Sequence, residues 1–295
     1  MINKTIWPLF LLILLGIIWG SGYTLARYAT THGVPPLGYS FWQSVGPAIA
    51  LLLMTLIKEK RIAISGRHLR YYLIAGVLGI ALPNTNMYFA APHVPAGILA
   101  VIVNTVALMM YPLALIVGQE KFQWPRLFAV IVGVIGIMMI IGFKWNVSGT
   151  NSWVLIILLT PLFFAMCALY SVYDRPANSS SLSLATGMLV ASVLVLTPLL
   201  IDTHEFYPLN SLSLPNLAVI LEIILSSIGY VILFQLLKIA GAVYYSLVGG
   251  MVALTGLFWG WLLLGETISW WTVVAVVLII VAVTVVTLIP AKKQI

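Results

Sequence analysis

The chain has 295 residues, 62% of them hydrophobic and only 7% charged, with 14 Lys and Arg against 7 Asp and Glu. A soluble domain carries about a quarter charged residues, so composition excludes a soluble enzyme, a disordered regulator and a disulfide-stapled secreted domain. The net charge of +7 comes from bases set between apolar runs, which is the pattern of an integral membrane chain rather than of a nucleic-acid binder.

A helix crosses the hydrocarbon layer with about 20 apolar residues. Ten stretches reach that length: 7–27, 37–57, 70–91, 94–117, 125–142, 153–173, 182–201, 215–237, 241–264 and 269–289. None shows the alternation of a barrel strand, so helices are expected. The first stretch follows Lys4 as a secretory signal would. It runs on through Trp19-Gly20-Ser21-Gly22-Tyr23 without a small-x-small cleavage site and is read as a retained helix. Trp19 and Tyr23 lie one turn apart on a face that also carries Gly16 and Gly20, where small residues let another helix approach. These aromatics are read either as cavity walls or as packing.

In the third span, Pro83 removes a backbone donor and frees a carbonyl one turn earlier. Asn84, Asn86 and Tyr88 follow directly, and a polar stretch at a kink is a usual place for a binding site. Interhelical hydrogen bonding is the alternative for the asparagines. The fourth span carries Gly97, Val101, Asn104, Leu108 and Tyr111 along one stripe. Asn104 lies near mid-membrane and must be satisfied by substrate or by a neighbouring carbonyl.

Glu222, in the eighth span, is the sharpest signal. An ionisable group at such depth costs about 2.5–3.5 kcal/mol on insertion scales, so it is expected to face a cavity or a partner. There it can hold a substrate ammonium or carry a coupling proton; the alternative is a carboxyl hydrogen-bonded between helices. Ser226, Gly229 and Tyr230 continue its helical face. With Trp19, Tyr23, Tyr88 and Tyr230 around Glu222, the site would suit an organic cation. Trp42, Gln43, Trp259 and Gln235 are lesser candidates. Arg27 is expected to reach the interface by snorkelling or to bond Glu222 across the cavity mouth. Glu120 and Glu266 each precede a helix and are read as charges complementing its N-terminal dipole. His32, His68, His93 and His204 are too dispersed to hold a metal, and there is no Gly-rich phosphate loop, so no metal or other cofactor is expected.

With the N-terminus inside, Lys4, Lys58, Lys60, Arg61, Arg67, Arg70, Lys121, Arg126, Arg175, Lys238, Lys292 and Lys293 fall on the inner side, and Arg27 and Lys144 on the outer. Twelve against two satisfies the positive-inside rule with both termini cytoplasmic.

An offset of 146 residues pairs Glu120 with Glu266, Trp124 with Trp270, Ala129 with Ala275, Trp7 with Trp153 and Ala96 with Ala242. The same offset maps Tyr230 onto Asn84 and Glu222 onto Gly76. Two halves, 1–146 and 147–295, are expected, each of five spans. An odd number of spans places them in opposite orientations, the arrangement that supports alternating access.

Ile18-Trp19-Gly20-Ser21, the segment Tyr111-Pro112-Leu113-Ala114-Leu115 with Gly118-Gln119-Glu120, and Gly260-Trp261-Leu262-Leu263-Leu264-Gly265-Glu266 resemble an EamA-type member of the drug/metabolite transporter superfamily. The resemblance implies ten transmembrane helices as two inverted five-helix repeats around a central cavity. It also implies transport of amino acids, other metabolites, choline-like cations or drugs. One departure is Gln119, which stands where the family usually has Gly.

The expected function is thus a secondary active transporter of a small polar metabolite (an amino acid, an amine or a related compound), working by alternating access, with export as the direction. It is expected in the cell (inner) membrane, with a proton as a candidate coupling partner. The competing classes are a membrane enzyme acting on a lipid, which needs acids and bases converging at one interface, and an accessory membrane subunit.

Overall fold

The computed structural model describes residues 6–60, 62–143, 150–177, 179–245 and 247–289. Lys4, Arg61, Lys144, Lys292 and Lys293 of the charge count lie outside them. The described residues form thirteen α-helices and one π-turn. These are α1 Ile6–Thr31, α2 Pro36–Glu59, α3 Gly66–Gly76, the π-turn Val77–Ala81, α4 Leu82–Ala90, α5 Ala96–Val103, α6 Val106–Ile116 and α7 Trp124–Phe143. They continue with α8 Thr150–Ile157, α9 Leu159–Asp174, α10 Ser181–Asp202, α11 Leu214–Tyr245, α12 Val248–Leu264 and α13 Trp270–Leu288. Eight continuous or nearly continuous segments are long and apolar enough to cross a membrane. Two shorter apolar helices, Trp124–Ile140 and Val248–Leu264, stand where the fifth and ninth spans were expected.

The largest departure from the expected boundaries lies in the second half. The eighth span was expected to end at 237, but α11 continues to Tyr245 and the ninth helix starts only at Val248. The stretch Lys238-Ile239-Ala240-Gly241-Ala242-Val243 contains no proline, and two of its residues are alanines, the strongest helix formers. Its counterpart in the first half is broken by Pro92 and Pro95.

Helix interiors are interrupted where polar side chains or a missing amide offer the backbone another solution. The π-turn is closed by Leu82, whose amide bonds the Val77 carbonyl five residues back, directly before Pro83. The kink anticipated at this proline thus takes the form of a single π-turn. Between α5 and α6, Asn104 donates its amide to the Ala100 carbonyl at 2.7 Å and Thr105 its hydroxyl to the Ile102 carbonyl at 2.7 Å. Each side chain bonds a carbonyl that also accepts its own residue's backbone amide, so both residues back-bond to the preceding turn at the break.

The helices pack in pairs drawn from opposite ends of the chain. α1 packs chiefly against α12 and α11, α7 against α13, α2 against α10 and α11, and α5 against α12. Glycines set the closest approaches. A Cβ on Gly16 would lie 2.6 Å from Met251 Cβ, and one on Gly20 would overlap the Thr255 side chain and sit 2.9 Å from the Gly256 nitrogen. The Thr255 hydroxyl donates to the Gly16 carbonyl at 2.6 Å. The expected helix–helix contact on this face of α1 is present.

Because the α1–α12 contact is already at backbone distance, Gly20→Val overpacks it, and overpacking costs about 1–3 kcal/mol. The thermal midpoint of the detergent-purified variant is expected to fall. Gly66→Val, where there is open space around the Cα, should leave it unchanged. Equal midpoints for both variants would contradict this packing.

Candidate functional site

A cavity of about 740 Å³ runs through the centre of the bundle. Seven of the eight candidates singled out in the sequence line it: Glu222, Asn84, Tyr230, Trp19, Tyr23, Tyr88 and Asn104. The eighth, Ser226, is buried to 2% exposure one turn from Glu222. It is not among the lining residues, and its hydroxyl donates to the Ile223 carbonyl of its own helix at 3.3 Å. Gln43 also lines the cavity. Trp42, Trp259, Asn86 and Gln235 are placed elsewhere. The two indoles donate to the carbonyls of Tyr207 (2.8 Å) and Ile17 (3.1 Å). Asn86 bridges to Ile156 and Thr160 of the neighbouring helices, and Gln235 is exposed.

Glu222 sits two turns into α11, with 7% of its surface exposed. Its carboxyl lies against the bare Cα of Gly22 on α1; a methyl group there would lie 3.0 and 3.2 Å from the two oxygens. Gly22 escaped the sequence reading, although its position between Trp19 and Tyr23 in a run of small residues marks a place of close approach. Among the described residues no group donates a hydrogen bond to the Glu222 carboxyl and no base pairs with it. The reading of this residue as a hydrogen-bonded link between helices therefore finds no partner here.

Aromatic rings and amides line the same cavity as the carboxyl. Trp19 packs edge-on to Tyr230 with ring centroids 5.9 Å apart, and its indole lies on Gly229. Tyr88 packs edge-on to Tyr39 at 4.7 Å, and the Tyr39 hydroxyl is fully buried without a hydrogen-bond partner. Asn84 donates to Gln43 at 2.9 Å and Asn104 to the Tyr23 hydroxyl at 3.3 Å. The offset that maps Tyr230 onto Asn84 thus brings together two residues of one cavity. Gly76, the counterpart of Glu222, instead packs on the Met188 carbonyl of α10.

At one end the cavity reaches Glu120, Arg126 and Thr287. Arg126 pairs with Glu120, donates through Nε to the Val286 carbonyl at 3.2 Å and lies 4.8 Å over the Tyr111 ring. The opposite end is tied across the chain. Glu266 accepts the backbone amides of Ala96 (2.6 Å) and Gly97 (3.1 Å) at the start of α5 and meets Arg27 Nε at 3.4 Å. The Leu37 amide donates to Glu205 at 3.2 Å.

Three expectations are corrected here. Glu266 serves a helix N-terminus, but that of α5, 170 residues away, while α13 is capped by Ser269, which accepts from the Thr272 amide at 3.1 Å. Glu120 is an ion-pair partner of Arg126 rather than a cap on the helix that follows it. Arg27 neither stands free at the interface nor bonds Glu222; it is one-quarter exposed and paired with Glu266. The physical reason is common to all three: a paired charge in a partly desolvated place is better compensated than one facing its own helix alone. The glycine missing at position 119 also has an explanation. The left-handed residue that ends the helix is Gly265 (φ 64°) directly before Glu266, but Gly118 (φ 70°), one position earlier, before Gln119-Glu120.

Comparison with known proteins gives a consistent picture. The model of the EamA-like transporter family matches residues 6–142 and 151–288. An "Uncharacterized transporter" of Clostridium kluyveri is 27% identical over 79% of this chain and 78% of that protein. Protein PecM of Dickeya dadantii is 26% identical over 91% of this chain and 88% of its own. A crystal structure of a protein that is 15% identical superposes with a TM-score of 0.57 over 97% of this chain and 99% of that one, a likeness of fold.

An uncompensated buried carboxyl destabilises the fold that contains it. Glu222→Gln keeps the shape and removes the charge, so the ligand-free protein is expected to melt higher, by roughly 2–4 °C for each kcal/mol gained. Scanning fluorimetry of the purified variant measures this; a lower midpoint would mean that the carboxyl holds helices together.

Proposed function

From the premise that this chain belongs to the EamA-like transporter family, and is a multi-pass membrane transporter, we propose that it is a secondary active transporter of a small polar metabolite (an amino acid, an amine or a related compound). It works by alternating access and exports its substrate. The observation that carries this reading is the Glu222 carboxyl, buried and without a protein partner among the described residues, on the wall of a large cavity. Trp19, Tyr23, Tyr88, Asn84, Asn104 and Tyr230 form the remaining binding surface, with Ser226 one turn from Glu222 on the same helix.

The repeat reading draws support from the packing. Shifting each residue by 146 exchanges α1 with the helical stretch α8–α9, and α7 with α13. Under that exchange the pairing of α1 with α12 becomes that of α9 with α6, and the pairing of α11 with α2 becomes that of α3 and the π-turn with α10; all four pairings occur. Taking α7 and α12 as spans as well gives ten, and two halves of five, 1–146 and 147–295, in opposite orientations. The excess of bases on alternate loops then puts both termini in the cytoplasm. In that frame Arg126 and Glu120 lie at the cytoplasmic mouth, and the Glu266 tie closes the outer end. In this reading the substrate is loaded from the cytoplasmic side, and the cycle is driven by a solute or proton gradient.

The full chain reconstituted in liposomes is expected to support counterflow of at least one member of a panel of radiolabelled amino acids and amines. Glu222→Gln should lower that flux by about two orders of magnitude, the scale of losing a charged binding contact, while still reconstituting and eluting as a folded species. Absence of counterflow across the panel, or chemical conversion of the solute, would overturn the reading.

A further inference from the structure

We propose that the cavity selects organic monocations, ammonium groups carrying apolar substituents, and rejects amino acids and other zwitterions; this rests on the transport reading above. Among the described residues three charged side chains line the cavity: Glu222, Glu120 and Arg126. Two of them are committed to each other. The Arg126 guanidinium pairs with Glu120, gives its Nε hydrogen to the Val286 carbonyl and covers the Tyr111 ring. A substrate carboxylate needs a base. Taking Arg126 would strip Glu120 of its partner and leave one buried carboxylate exchanged for another. Glu222 is in the opposite situation, with glycine at its back and no donor in front. The lining therefore holds one uncompensated acid and no uncompensated base. In a low-dielectric site that imbalance selects by the sign of the ligand's charge before any shape is read.

The walls match the other half of such a ligand. Trp19, Tyr23, Tyr88 and Tyr230 line the same cavity as the carboxyl, and ring faces attract ammonium groups and cover their apolar substituents. A cavity of about 740 Å³ is of the size that encloses a whole organic ion. A zwitterion would bring its carboxylate into the same aromatic lining with nothing to receive it, the costly case of a buried unpaired charge.

Phenethylammonium, phenylalanine and phenylacetate share one ring and differ in charge, and choline and tetraethylammonium extend the cation class. Binding to the purified full chain is measured by calorimetry, and flux by the same protein in liposomes. At least one of the three cations is expected to bind, with phenylalanine and phenylacetate about two orders of magnitude weaker or absent, the scale of one charged contact. Glu222→Gln should weaken the cation by a similar factor and Glu222→Asp should retain part of the binding; should the Gln variant not fold, the solute series and the Asp variant carry the test. Binding of none of the cations, cation binding unchanged by Glu222→Gln, or phenylalanine binding as tight as phenethylammonium overturns the proposal. Flux of phenylalanine without flux of any cation also overturns it and leaves the transport reading standing. Glu222-dependent cation binding with no flux of any solute supports it and removes the transport reading instead.

Discussion

α1 is held at glycine distance by two helices from the far end of the chain, and the site follows from that closeness. On one side Gly16 and Gly20 admit α12, with the Thr255 hydroxyl closing on the Gly16 carbonyl. On the other, Gly22 receives the Glu222 carboxyl, and Gly229 of α11 receives the Trp19 indole. In a bilayer, where lipid tails are as apolar as side chains, such packing rather than a hydrophobic drive is what brings helices together. The contact that joins the two ends of the sequence therefore also places an indole, a phenol and a carboxyl on one wall.

The acids at positions 120 and 266 show how one sequence pattern serves two different tasks. Glu266 binds two backbone amides of α5 and the Arg27 side chain, tying the helix ends at its side of the molecule. Glu120 has Arg126 as its partner and stands beside the cavity. The same Gly-x-Glu or Gly-Glu ending thus gives a carboxylate different partners at the two positions.

Hydropathy made the helices legible, because the requirement that a span be long and apolar leaves few alternatives. The depth of Glu222 and the polar stretch after Pro83 were legible for the same reason: polar groups are too costly at depth to be incidental. What escaped was long-range. Gly22 carries no chemistry, and its role appears only once α11 is laid against α1. Arg27 with Glu266, and Glu266 with Ala96, are contacts between segments that no local periodicity relates. Ser226 follows Glu222 on the same helical face, yet helical spacing cannot say how far a cavity extends along a face. The end of α11 was misplaced because Lys238 and Gly241 read as a stop signal, while the stretch holds no proline to enforce one.

The length of α11 has a mechanical consequence. Its 32 residues, at about 1.5 Å each, make a rod of about 48 Å, well beyond the hydrocarbon thickness of about 30 Å. A rod that overshoots its layer tilts, projects or thickens the bilayer around it. Glu222 rides near one end of this rod, so a change of tilt swings the carboxyl relative to its glycine seat on α1. Bilayer thickness thereby bears on how the carboxyl is seated against Gly22.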